Sequence, residues 1–94
     1  MLTEKNLERA LCSRIKANKG MAIKLWAMSM TGLPDRLILM PGGKASFAEI
    51  KTTGQKPKLV QRIVHDKLRQ LGFTVAVIDS QQSLDDFVAG AAGC

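Results

Sequence analysis

The stretch Gly32–Lys51, GLPDRLILMPGGKASFAEIK, decides the reading of this chain. It holds two short apolar runs separated by Pro-Gly-Gly, the composition of two strands joined by a tight turn. The first run opens on an aspartate after a proline. The second ends Glu-x-Lys. Along a strand, successive side chains point to opposite faces. Phe47, Glu49 and Lys51 therefore share one face of the second strand, while Ala48 and Ile50 point the other way. If the turn is Pro41-Gly42-Gly43, with Gly43 supplying the left-handed conformation, Met40 pairs with Lys44 and Asp35 lies opposite Glu49. A two-residue turn would set Arg36 opposite Glu49 instead. The glycine placement favours the three-residue turn.

Two carboxylates at cross-strand distance repel, so one must protonate or a cation must lie between them. A hard divalent ion with oxygen ligands, Mg²⁺ or Mn²⁺, fits such a pair. Lys51 beside Glu49 can orient a water. Carboxylate pair, metal and lysine together suit phosphodiester hydrolysis. Pro-Asp is also ordinary turn chemistry, and Glu-x-Lys an ordinary exposed strand edge. The context of strand start, glycine turn and strand end is what gives the pair weight.

The rest of the chain extends the hairpin into an α/β pattern. Residues 3–20, TEKNLERALCSRIKANKG, read as a helix capped by Thr3 and stopped at Gly20, with Leu7, Leu11 and Ile15 as its apolar stripe. Glu4 and Glu8 fall on or beside that stripe, where a carboxylate is costly unless compensated. Met21–Trp26 reads as a strand, with Trp26 expected in the core. Residues 58–73 read as a helix through Leu59, Ile63, Leu68 and Leu71, stopped at Gly72. Thr74–Ser80 reads as a buried strand. Ser83 is expected to cap a last helix, with Asp86 at the capping-box position and a frayed AGAAGC end. The order is α-β-β-β-α-β-α: a mixed sheet flanked by helices, with a long crossover from the third strand to the fourth. At 94 residues the chain reads as one domain, 1–94, with a homodimer a natural way to bury more surface.

Apolar residues make up 46% of the chain, which excludes a disordered chain. Net charge is +6, from 14 basic and 8 acidic residues, which favours anionic partners such as nucleic acid. No membrane span or signal peptide is evident, and Cys12 and Cys94 stand in no metal spacing. These features lead us to expect a cytoplasmic protein with free thiols. An RNA-binding module would call for exposed aromatic residues that the composition does not favour.

Taken in order, Glu4/Glu8, GLPDR, PGGK, FAEIK, Gln61, LRQLGF and VIDS resemble the stand-alone VRR-NUC (virus-type replication-repair nuclease) domains of phages and bacteria, within the PD-(D/E)XK, restriction-endonuclease-like superfamily. The resemblance spans Leu2 to Ser80. It implies that Asp35 and Glu49 are metal ligands, that Lys51 is the catalytic lysine and that Gln61 faces the site from the next helix. It further implies a ligand from the first helix, Glu4 or Glu8, and the carbonyl of Ile50 in the metal shell. Lys24, Arg36, Lys44, Lys56, Lys58 and Arg62 are expected to line a groove for DNA phosphates, with Ser29, Thr31 and His65 as further contacts. The implied activity is Mg²⁺- or Mn²⁺-dependent endonucleolytic cleavage of branched DNA in repair or recombination. Holliday junction resolution by a homodimer is the leading form, with no organic cofactor and no membrane. A flap- or end-directed nuclease, or a non-catalytic DNA-binding module, is the alternative.

Overall fold

The computed structural model describes residues 3–26, 30–52 and 55–92; of Ala92 only the backbone is described. The elements are α1 (Glu4–Ala17), β1 (Met21–Lys24), β2 (Arg36–Met40), β3 (Lys44–Ile50), α2 (Leu59–Gln70), β4 (Thr74–Ile78) and α3 (Gln81–Ala92). The strands form one sheet in the order β1-β2-β3-β4. The first three are antiparallel, and β4 joins β3 in parallel after the crossover through α2. The expected order of elements and the mixed sheet are both present.

The hairpin turn contains the three residues 41–43. Gly42 (φ 89°) and Gly43 (φ 75°) both sit in the left-handed region, and Met40 pairs with Lys44. The register continues to Arg36 opposite Ala48, so the next position places Asp35 opposite Glu49. Alternation then sorts the sheet into two faces. Ile38, Met40, Ala48, Ile50 and Ile78 face α1 and α3, where Leu7, Leu11, Ile15, Leu84, Phe87 and Val88 complete the core. The expected α1 stripe is thus fully buried, and Thr3 caps the helix through its side-chain oxygen, which accepts from Asn6 N–H.

On the other face, α2 packs mainly against β4. Its inward residues are Gln61, Val64, His65 and Leu68. Leu59, Ile63 and Leu71, part of the expected apolar stripe, are instead 50–74% exposed. The inward face of this helix is mixed, and Gln61 and His65 share it with Val64 and Leu68; Gln61 finds a partner there in Glu49. Two further expectations are corrected. Trp26 is 72% exposed, since β1 ends at Lys24 and the chain leaves the sheet there. The cap of α3 is Ser80, whose hydroxyl accepts from Ser83 N–H, while Ser83 Oγ in turn accepts from the N–H groups of Asp79 and Ser80. Helix α3 then continues to Ala92 where fraying was expected.

Gly32 ties the segment before β2 to α2. It has φ +95°, and a Cβ there would sit 2.6 Å from the Val60 carbonyl oxygen and 3.0 Å from a Val64 methyl. Both objections to a side chain act at once: a left-handed backbone and a rigid helical carbonyl. Gly32→Ala is expected to destabilise the fold by about 2–3 kcal/mol. Thermal melting should show a fall of roughly ten degrees or more in Tm. No change in Tm would mean that α2 yields easily at this contact.

Candidate active site

The strands bring Asp35, Glu49 and Lys51 together, and α2 adds Gln61 and His65. Asp35 follows the buried Pro34 and stands just before β2 begins. Its Oδ2 accepts the Ile50 N–H at 2.9 Å, a side chain filling the place of the next ladder bond. Lys51 lies just past β3 and stays anchored to β4, with its N–H donating to the Ile78 carbonyl at 3.0 Å.

Glu49 is the centre of the arrangement. It is 2% exposed. Its Oε2 accepts from Gln61 Nε2 at 3.1 Å and lies 3.5 Å from Lys51 Nζ. Gln61 is itself oriented, because its Oε1 accepts the Lys58 N–H at 2.9 Å. The other carboxylate oxygen, Oε1, is buried with no hydrogen-bond partner. It faces His65 Nε2 at 3.9 Å, too far for a hydrogen bond, and that nitrogen is unpartnered too. Burial raises the Glu49 carboxyl above its ordinary value, and the negative Asp35 adds to the rise; Lys51 opposes both. Burial, helped by the Arg69 charge, lowers His65 below its ordinary value. A neutral imidazole therefore faces Glu49, and the two do not form an ion pair.

An orphaned buried carboxylate oxygen, next to a second acid, is a place where negative charge is undercompensated. The donor set of two carboxylates and the Ile50 carbonyl is all hard oxygen, which suits Mg²⁺ or Mn²⁺. Among the described residues no three side chains of His, Cys, Asp or Glu gather into a metal cage. A site of this composition matches an ion that keeps several waters.

The two helix-1 glutamates separate. Glu8 pairs with the guanidinium of Arg36, which is 4% exposed and also donates to the Asp35 carbonyl at 3.1 Å. Glu4 Oε1 accepts from both the N–H and the hydroxyl of Thr52 at 3.0 Å, one residue after Lys51. Glu4 thus reaches the active end of β3, and Glu8 is committed to the arginine.

Two expected DNA contacts, Arg36 and His65, are buried, and a third, Lys44, is exposed but distant from Glu49. Arg36 is buried and paired, so it cannot meet a phosphate. His65 is 1% exposed and turned toward Glu49. Lys44 lies at the opposite end of the hairpin, roughly 17 Å from Glu49 for five residues of strand. Lys24, Thr31, Lys56, Lys58 and Arg62 are exposed; Ser29 lies outside the described residues. Thr52 is a neighbour of the site that sequence reasoning missed, and only its place beside Lys51 pointed to it.

An aspartate opposite a Glu-x-Lys, on a mixed sheet with helices on both faces, defines the PD-(D/E)XK nuclease fold. The chain matches no family model. It is 38% identical over 81 residues to a protein named "Putative nuclease p44" of Acyrthosiphon pisum secondary endosymbiont phage 1, covering 86% of this chain and 87% of that one. A solved structure titled "VRR_NUC domain" superimposes with a TM-score of 0.85 at 29% identity, over 90% of this chain and 92% of the other. The chain belongs to the VRR-NUC nuclease family. No helix among the described residues is long and apolar enough to cross a membrane.

Proposed function

We propose that this protein is a Mg²⁺- or Mn²⁺-dependent endodeoxyribonuclease that cuts branched DNA, with four-way junctions as its substrate and a homodimer as its working form. The observation that carries the reading is Glu49: buried, held by Gln61, facing Lys51 and Asp35, with one oxygen left unpartnered. A structural residue would have no reason to keep that cost.

Asp35, Glu49 and the Ile50 carbonyl would hold the ion, with Glu4, whose Oε1 accepts from Thr52, as the candidate helix-1 carboxylate. A bound ion would acidify water and polarise a phosphoryl oxygen. Lys51 directs its ammonium at the same place and positions the attacking water. Gln61 fixes the Glu49 carboxylate. The water oxygen bonds to phosphorus, the P–O bond to the leaving sugar oxygen breaks, and that oxygen takes up a proton. The exposed Lys56, Lys58 and Arg62 near the start of α2 attract the phosphate backbone, with affinity that falls as salt rises.

The homodimer is favoured by the second face of the sheet. Met21 and Leu39 are cross-strand partners on it, as are Ile23, Leu37 and Phe47. Met21 is 59% and Ile23 38% exposed, because α2 lies over β4. These rows carry no charge, so they offer DNA nothing. A second copy of the same flat apolar surface is their natural cover, since sheet faces pack on one another about 10 Å apart.

The test is a labelled four-way junction against a linear duplex of matched sequence, with Mg²⁺ or Mn²⁺, and sedimentation of the protein–DNA complex. Paired cuts in the junction and a two-chain complex are expected. Cutting confined to flaps or ends, or a strictly monomeric complex, would overturn the junction reading and leave the nuclease.

A further inference from the structure

Trp26 has no place in the site described so far. It is the only tryptophan of the chain, and it is 72% exposed. Leaving so large an apolar ring in water is unfavourable, and neither the core nor the open sheet face uses it. Its position is specific. The Leu25 N–H donates to the main-chain carbonyl of Asp35 at 2.8 Å, so Trp26 directly follows the residue that is hydrogen-bonded to the backbone of Asp35. The Lys24 ammonium stands 4.9 Å from the ring centroid. A cation thus covers one side of the ring, and the high exposure leaves an aromatic face open to solvent.

We propose that Trp26 is a stacking platform for an unpaired DNA base beside the cleavage site, with Lys24 supplying a positive charge for the adjoining phosphate. The proposal rests on the nuclease reading above and names what its site selects. Base faces inside a duplex are already stacked on their neighbours and cannot reach the indole. Bases at a junction centre, a flap or a single strand can. Aromatic side chains set in a positive groove are a general means of holding such bases without reading their sequence. Selection for branched DNA then comes from this residue and not from base-edge contacts.

The chain contains no tyrosine, so its near-ultraviolet emission reports Trp26. The Lys51→Ala protein, expected to cut at least a hundredfold more slowly, is titrated with single-stranded oligonucleotide, a flapped duplex, a four-way junction and a blunt duplex. Emission should be quenched by the first three and little by the last. Trp26→Ala should weaken single-strand binding roughly tenfold or more, while blunt-duplex affinity and the melting curve stay as they were. Trp26→Phe should recover most of the loss. Binding of single strands with no quenching, and with equal affinity for Trp26→Ala, would overturn the proposal and leave the nuclease standing. Emission that changes on dilution without DNA, and not on adding it, would assign the ring to contact between copies and likewise overturn it. No binding of any DNA would overturn both this proposal and the nuclease reading.

Discussion

Lys51→Ala lowers the rate of DNA cleavage by about a hundred- to a thousandfold, the usual cost of removing one positioned electrostatic group from a reacting centre. The structure shows why the loss should fall on the rate and not on binding. The Lys51 side chain is 16% exposed, and its ammonium is 3.5 Å from the buried Glu49 carboxylate. Its backbone is held to Ile78 by a hydrogen bond that the substitution keeps. Melting should therefore show a folded protein, and anisotropy with labelled DNA should show affinity little changed. Comparable losses in affinity and rate would make Lys51 a phosphate contact instead.

Glu49→Gln has the second large effect, and its two halves run in opposite directions. Cleavage falls at least as far as for Lys51→Ala, because an amide replaces a carboxylate at the centre of the donor set. Stability of the metal-free protein rises. The amide oxygen still accepts from Gln61, while the buried, undercompensated charge is gone, worth about 1–2 kcal/mol. For a domain of this size that is roughly 4–16 °C in Tm.

The pH dependence follows from the raised Glu49 carboxyl. Between the unfolded value and the higher folded one, the folded chain holds a proton that the unfolded chain has released. Stability from this group is therefore lost as pH rises through that window. The advantage of E49Q over wild type should be full above the raised Glu49 value and shrink as pH falls through it. His65, lowered in the fold, destabilises on acidification in both proteins. Adding Mn²⁺ should raise the Tm of wild type and leave the variant unmoved. A variant that melts below wild type at neutral pH would mean that Glu49 is satisfied in the folded protein.

What could be read from the sequence, and what could not, divides on the range of the interactions. The hairpin, its three-residue turn and the pairing of Asp35 with Glu49 depend on glycine conformation and strand alternation, both local. Gln61 was legible through its spacing from Lys51 and the family resemblance. Arg36 was misread because its partner, Glu8, lies on another element, 28 positions earlier. The exposed stripe of α2 was misread for a related reason. Periodicity shows that Leu59 and Ile63 share a face, but not that Gln61 and His65 compete for the inward side. Trp26 was assigned to the core on its chemistry, yet the end of β1 at Lys24 leaves it outside. Glu8 and Glu4, on or beside the apolar stripe of α1, meet Arg36 and Thr52 respectively, partners that lie far off in the sequence.

The most direct test of the central claim is cleavage of one labelled branched DNA by wild type and by Asp35→Asn, each in Mg²⁺, in Mn²⁺ and in chelator. Asp35 holds the Ile50 N–H as well as the second negative charge, and asparagine can keep the first role but not the second. The account predicts cutting by wild type in metal alone and at least a hundredfold less by Asp35→Asn in either metal. Cutting by wild type in chelator, or undiminished cutting by a folded Asp35→Asn, would contradict it.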